Sequence, residues 1–296
     1  MLPGLLFFLS VVNDVRGWIE RHDLASAQAA ARAYQAQSGA TPELAAALSW
    51  IARGEWDARQ LPQADQYAAE ARKMATELLG MRRLDADPWL PTALGAAIEV
   101  HAEVLAAEGE RAEAIAFLRQ QLAAYSATSI GERIRKNLNL LDMEGKPAPA
   151  LETGDWLGPR PPSLASLRGH PVLLFFWAHW CPDCKAEGPI LVSLLATYGA
   201  KGLVLVGPTK LYGHAAGGED ATPAAEKQYI QKVREQYYPA LAAMPIPVGA
   251  ANFLNYGASS TPTIVLLDAA GVVRFYHPGA VGEAELSQRI QKVLAR

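Results

Sequence analysis

The pentapeptide WCPDC at positions 180–184 constrains this chain more than any other sequence feature. It holds both cysteines of a 296-residue sequence, so neither has another thiol in the chain to pair with. An apolar run at 172–178 precedes it, and a helix-forming stretch at 185–191 follows it. The order strand, C-x-x-C, helix places Cys181 at a helix N-terminus, where backbone N–H groups and the helix dipole favour a thiolate. This order predicts a redox-active dithiol.

A C-x-x-C pair can also be half of a zinc site or a plain short-loop disulfide. Zinc needs two more ligands, and the six histidines are scattered without an H-x₃₋₅-H pair. We therefore favour the redox interpretation, and we expect neither a metal nor another cofactor.

Four motifs stand in order along the second half of the chain: GKPAP at 145–149, LASLRGHP at 164–171, CPDCKAEGP at 181–189 and STPT at 260–263. Together they resemble the TlpA-like thiol–disulfide oxidoreductases, which have a thioredoxin fold. The resemblance covers about half the chain, from near Gly145 to the C-terminus, and it implies an enzyme that exchanges disulfides.

The chain departs from the thioredoxin pattern in two places. Thioredoxin has a buried aspartate six residues before the first cysteine, where this sequence has Phe175. The acid role would pass to Glu187, where the TlpA-like pattern has its glutamate. His179 is unusual at its position, which the family fills with a small or acidic residue.

The two cysteines have different expected roles. Cys181 is the expected nucleophile because it is the first cysteine at the helix N-terminus and the more exposed one. Cys184, one turn inward, is expected to resolve the mixed disulfide at high effective concentration. Glu187 falls one turn after Cys184 and could take its proton, although a solvated helix glutamate is the alternative.

Four further residues are expected to bind substrate. Trp180 is expected beside the dithiol on the docking surface, and Pro182 stiffens the helix start. The resemblance implies that Pro262 forms a cis peptide bond and presents the backbone of Thr261 to an extended substrate segment near Cys181.

Two residues are expected to tune the reduction potential. Asp183 lies beside the developing thiolate, and its like charge raises the thiol pKa. This favours a reductant, with a potential nearer to the roughly −270 mV of thioredoxin than to the roughly −120 mV of a strong oxidase. A protonated His179 close to the sulfur would act in the opposite direction, unless its side chain points away.

Composition limits the partners. Half of the residues are hydrophobic and 19% are charged, which is typical of a globular protein, and the formal net charge is −3. We therefore expect no nucleic-acid partner. Protein disulfides and an upstream electron donor are the partners that the dithiol implies, with a further protein partner possible on the helical half.

The N-terminal run from Leu2 to Val12 is apolar but too short to span a bilayer. It is either the remnant of a signal sequence or anchor, or a buried first helix. The first interpretation predicts an extracytoplasmic location, periplasmic or membrane-anchored, and a cytoplasmic location is the alternative.

Residues 14–140 are rich in alanine, with apolar residues at helical spacing. Three segments, around Ala27, Ala64 and Ala114, have the pattern of a helix–turn–helix with small contact residues. They resemble tetratricopeptide repeats, but 37 and 50 residues separate them, whereas that repeat has 34. A generic helical bundle is the alternative.

The sequence predicts a multidomain protein: an all-α repeat or bundle domain at 1–141 and an α/β thioredoxin fold at 142–296. The boundary is where glycine and proline replace helix-forming residues. A glycine-rich loop is predicted at 207–222, on the active-site side. The second domain is predicted to have strands at 172–177, 203–206, 263–268 and 272–277, and helices at 184–198, 223–237 and 283–295.

Two other functions compete with disulfide exchange. A peroxiredoxin-like thiol peroxidase expects a proline and a hydroxyl before its attacking cysteine, but Leu174 and Ala178 occupy those positions. A non-enzymatic redox sensor that docks through its helices is the other alternative. The favoured function is reduction of protein disulfides.

Overall fold

The structure is a computed structural model that describes residues 10–80 and 82–295. Packing divides the chain into two compact units, one ending at Asn137 and the other beginning at Leu138. Most of the N-terminal apolar run, up to residue 9, lies outside the described residues. Its interpretation as a signal remnant or anchor stays a prediction.

The described part of the first 142 residues is all-α, as the sequence predicts. Seven α-helices follow one another: α1 Val11–Glu20, α2 Leu24–Ser38, α3 Pro42–Asp57, α4 Leu61–Leu79, α5 Leu90–Ala107, α6 Arg111–Tyr125 and α7 Gly131–Asp142.

Two of these helices begin at residues whose side chains cap the helix N-terminus. The carboxylate of Asp23 accepts a hydrogen bond from the backbone N–H of Ser26 at 2.9 Å and caps α2. Thr41 caps α3 in the same way through Leu44 N–H at 3.1 Å, and Pro42 occupies the first helical position.

Small residues bring the helices close together, as predicted. Ala27, Ala64 and Ala114 are fully buried at the start of the second helix of each pair. Gly54 in α3 is another close contact, because a Cβ atom there would lie 2.8 Å from a methyl group of Leu24. The helix pairs are confirmed, while their assignment as tetratricopeptide repeats stays a prediction.

Helix α5 is the one described helix with the length and apolar composition of a membrane span. It has 18 residues and a mean hydropathy of 1.2, and 61% of it is buried within the protein. Such burial is typical of a core helix.

The second unit is α/β, as predicted. Its described elements are β1 Trp156–Leu157, β2 Val172–Phe176, α8 Pro182–Tyr198, β3 Val204–Val206, α9 Pro223–Tyr237, β4 Ile246–Pro247, α10 Ala250–Tyr256, β5 Thr263–Leu267, β6 Val273–Pro278 and α11 Glu283–Leu294. The predicted strands and helices are all present, within two residues at each end. Helix α10 and the short antiparallel pair β1–β4 were not predicted from the sequence.

The main sheet has the strand order β3-β2-β5-β6. Strand β3 is parallel to β2, whereas β5 is antiparallel to both β2 and β6. The β5–β6 hairpin turns between Asp268 and Gly271, which share a backbone hydrogen bond of 2.8 Å. This is the hairpin that the sequence predicts.

Strand β2 is buried along its whole length because both faces of the sheet are covered. Leu173 and Phe175 belong to a core cluster that includes Leu191 of α8. Leu174 and Phe176 point to the opposite face and belong to a second cluster. The chain leaves the carboxyl end of this central strand directly into the WCPDC motif.

Candidate active site

The two cysteines form a disulfide at the start of α8. Cys181 is the N-cap residue, and its Sγ accepts the backbone N–H of Cys184 at 3.1 Å. Pro182 follows in the first helical turn, so α8 begins two residues before its predicted start. After reduction, the same N–H group and the helix dipole would stabilise a thiolate on Cys181.

The two sulfurs differ little in exposure. Cys181 is 2% exposed and Cys184 is 0% exposed, so the larger exposure expected for Cys181 is slight. The other three residues of the WCPDC motif are exposed: Trp180, at 47%, Pro182 and Asp183. Helix position, rather than exposure, distinguishes the two cysteines.

The loop before β5 lies against the dithiol. The peptide bond between Thr261 and Pro262 is cis, as the resemblance implies. The carbonyl oxygen of Thr261 lies 3.2 Å from Cys181 Sγ, although 80 residues separate them in the chain. Sheet topology explains this approach, because β5 pairs directly with β2 and its N-terminal end meets the end of β2 that leads to the motif.

Glu187 is a buried carboxyl with one hydrogen bond. It is 2% exposed, and its Oε1 accepts the backbone N–H of Val281 at 2.6 Å. Its Oε2 has no hydrogen-bond partner among the described residues. Burial raises the pKa of Glu187, the Val281 N–H lowers it, and the charge of Asp183 raises it further.

Tyr238 contacts the start of α8, and no pattern in the sequence indicates this contact. Its hydroxyl donates a 2.8 Å hydrogen bond to the carbonyl oxygen of Cys184. Burial, and then the charge of Glu187, raise the pKa of Tyr238, so this hydroxyl keeps its proton. A surface pocket of about 240 Å³ is lined in part by Asp183, Glu187 and Val281.

His179 is fully buried and lies among aromatic rings. Its ring centroid lies 5.8 Å from that of Tyr212, 5.2 Å from that of His214 and 5.4 Å from that of Tyr229. Burial lowers the pKa of His179, while Glu226, 3.9 Å from its Nδ1, raises it less. The neutral ring is therefore favoured, and this geometry gives no support to thiolate stabilisation by a protonated His179.

The loop at 207–222 lies on the active-site side, as predicted. Trp177 anchors its start through two hydrogen bonds: Nε1 donates to Gly207 O at 3.0 Å, and the carbonyl accepts from Thr209 Oγ1 at 2.8 Å. The sequence suggested the loop but not its attachment, because these contacts span about 30 residues and follow no local pattern.

The chain is similar to known thiol:disulfide exchange proteins, which agrees with a disulfide-forming C-x-x-C site. The thioredoxin-like domain family matches residues 162–294. The thiol:disulfide interchange protein DsbE of Xylella fastidiosa is 29% identical over 45% of this chain and 59% of its own length. DsbE of Pseudomonas fluorescens is 30% identical over 51% of this chain and 78% of its own. The thiol-disulfide oxidoreductase ResA of Bacillus thuringiensis is 27% identical over 50% and 78%.

Fold and site together define a thioredoxin-like domain with a C-x-x-C disulfide at the start of its central helix. The chain belongs to the family of thioredoxin-like thiol:disulfide oxidoreductases that includes these DsbE proteins. It spans about three fifths of the length of the Xylella relatives, 59%. The match to the thioredoxin-like domain family does not include the helical unit.

Proposed function

We propose that this protein reduces disulfide bonds of protein substrates by dithiol exchange through Cys181 and Cys184. The Cys181 thiolate attacks one sulfur of the substrate disulfide, forms a mixed disulfide and releases the first substrate thiol. Cys184 then loses its proton and attacks Cys181 Sγ, which releases the second thiol. Two electrons pass to the substrate, and an upstream dithiol donor reduces the new Cys181–Cys184 disulfide.

The position of Cys181 Sγ carries this proposal. It lies at a helix N-terminus within 3.1 Å of the Cys184 N–H and 3.2 Å from the Thr261 carbonyl. The first contact favours a thiolate leaving group or nucleophile. The second brings the loop of Thr261 and Pro262 against the reacting sulfur, and an extended substrate segment is proposed to bind along this loop, with Trp180 and Pro182 as further contacts.

Glu187 is the proposed acceptor of the Cys184 proton. It lies three residues after Cys184, on the same helix face, and is buried with one oxygen unpartnered among the described residues. Its raised pKa brings the carboxyl closer to neutral pH, which is the useful range for a general base. Asp183 is proposed to keep the couple reducing through its charge.

The site gives no support to peroxidase chemistry. Leu174 and Ala178 occupy the positions where a peroxiredoxin carries its proline and hydroxyl, and both are buried apolar residues.

The helical unit is proposed to bind a protein partner in the manner of tetratricopeptide-like repeats, since its described residues include no part of the dithiol site. An extracytoplasmic location stays a prediction from the sequence.

Replacing each cysteine separately tests the proposal. Cys181→Ser should abolish reduction of an insulin-type protein disulfide, because the nucleophile is lost. Cys184→Ser should instead accumulate a mixed disulfide with substrate, visible by mass spectrometry and released by dithiothreitol. Faster alkylation of Cys184 than of Cys181 in the reduced protein near neutral pH would reverse the assignment.

A further inference from the structure

Glu226 is a fully buried acidic residue that the proposed exchange does not use. It lies in the first turn of α9 and is 0% exposed. Oε1 accepts the backbone N–H of Tyr212 at 2.6 Å, and Oε2 accepts that of Gly213 at 2.8 Å. Both oxygens of one carboxylate therefore bind consecutive N–H groups of the loop at 207–222, and such charge-assisted bonds are the strong ones.

This attachment fixes an aromatic ring beside the reacting motif. The Tyr212 ring meets the ring of Trp180 edge to face, with centroids 5.4 Å apart. It also lies edge to face with the buried Phe253 at 6.4 Å. Trp180 precedes Cys181 directly and is 47% exposed, so Tyr212 supports one side of an indole whose remaining surface is open to substrate.

We propose that Glu226 is a positioning residue for substrate recognition. It holds Tyr212 against Trp180, and the supported indole binds an aromatic side chain next to the reacting cysteine of an extended substrate segment. This inference rests on the proposed function, because it concerns the segment that presents a disulfide to Cys181. An exposed aromatic surface is suited to another ring through edge-to-face or offset stacking. The neighbouring exposed Asp183 disfavours an acidic residue at that point of the substrate.

Glutamine cannot replace Glu226 in this role. A glutamine amide has one oxygen and two N–H donors, so it can accept from one of the two loop N–H groups and turns a donor toward the other. A buried N–H group without an acceptor is costly, so the loop would move away and release Tyr212. Glu235→Gln on the same helix is the matched control, because that side chain is exposed and bonds to Gln231.

The experiment uses the full chain and two disulfide-linked peptides that differ only by phenylalanine or alanine next to the reacting cysteine. We expect the wild-type protein and Glu235→Gln to prefer the phenylalanine peptide about threefold to tenfold in kcat/KM. In Glu226→Gln and Tyr212→Ala the preference should fall to about one. The loss should appear in KM for the phenylalanine peptide rather than in kcat, since substrate binding is what changes.

The outcomes separate this inference from the proposed function. A wild-type protein that reduces neither peptide contradicts the proposed function, whereas one that reduces both without preference overturns only the role of the aromatic pair. Equal losses on both peptides in Glu226→Gln would show a general folding effect and overturn the positioning role. If Glu226→Gln does not fold, Tyr212→Ala decides alone, and a retained phenylalanine preference in it overturns the proposal.

Discussion

Two buried glutamates, one in each unit, have opposite surroundings. Glu99 in the helical unit is 7% exposed and contacts three cations: Arg133 at 2.5 Å, Arg53 at 2.9 Å and Lys136 at 3.2 Å. Glu187 in the thioredoxin-like unit is 2% exposed, accepts one backbone N–H and lies near the charge of another acid. The first carboxylate is neutralised by its neighbours, and the second is not.

The two pKa values differ accordingly. Burial alone would raise the pKa of Glu99, but the Arg133, Lys136 and Arg53 charges outweigh it and lower the value to about 2. Burial raises the pKa of Glu187, and no cation in the described part of the chain reverses the shift. A buried glutamate that is fully paired supports the fold, whereas the partly unpaired Glu187, one turn after Cys184, is the group proposed to take the Cys184 proton.

The largest expected effect is the loss of stability when Glu99, the paired glutamate, is replaced. Glu99→Gln would leave the partly exposed Arg133 and Lys136 without this counter-ion, while Arg53 keeps Glu103 at 2.6 Å. Breaking a buried ion pair from one side costs about 3 to 5 kcal/mol, and since water reaches these cations in part we expect a loss near the lower end, about 3 kcal/mol, in the free energy of unfolding of the helical unit. Urea unfolding followed by circular dichroism measures this loss.

The matched control is Glu113→Gln, because Glu113 is an exposed helical glutamate in the same unit. Its effect should stay within about 0.5 kcal/mol. A loss below about 1 kcal/mol in Glu99→Gln would mean that the cations are solvated rather than held by Glu99, and the contrast between the two glutamates would fail.

The pH dependence of stability should have opposite signs for the two carboxyls. The folded pKa of Glu99 is below its unfolded value, so its contribution is present above pH 4.5 and is lost as pH falls toward 2, by about 3 kcal/mol. The folded pKa of Glu187 is raised, so its contribution is present below pH 4.5 and is lost as pH rises through the folded pKa.

Urea midpoints of the wild type, Glu99→Gln and Glu187→Gln between pH 3 and pH 8 measure both effects. The difference between the wild type and Glu99→Gln should shrink on acidification, and the difference between the wild type and Glu187→Gln should shift against the wild type as pH rises. Equal signs would refute the assigned surroundings.

The smallest expected effect concerns the separation of the two units. The segment 138–296 should fold alone and reduce a small disulfide at a rate within about twofold of the full chain, because its size supports an independent core. It retains Asn139, whose side chain donates to the carbonyl oxygen of Tyr256 at 2.8 Å. A segment that circular dichroism shows to be unfolded would mean that the helical unit completes this core.

Much of the second unit follows from local sequence signals. Helix α9 occupies the predicted positions 223–237, and its N-cap Thr222 and following proline are visible in the sequence. The hairpin after β5 follows from alternating apolar runs around a glycine turn. The redox role of Cys181 and Cys184 could be predicted from their place between a strand and a helix alone.

Other features could not be predicted because they depend on tertiary contacts. Strands β1 and β4 have two residues each, too few for any periodicity. Glu226 has the sequence context of an ordinary first-turn acid, and its loop contacts appear only once α9 packs. Tyr238 reaches Cys184 across 54 residues. The tuning role of His179 stays a prediction. The sequence could not show that this ring is buried among aromatic rings, where burial lowers its pKa.

The most direct test of the central claim is the pH dependence of the resolving step. Stopped-flow reaction of the reduced protein with a chromogenic aryl disulfide separates attack by Cys181, which releases the first thiol, from attack by Cys184, which releases the second. At pH 7, Glu187→Gln should slow the second release about 100-fold and lose the inflection that Glu187 ionisation gives above pH 4.5, whereas Glu235→Gln should match the wild type. A Glu187→Gln profile that superimposes on that of the wild type would contradict the account.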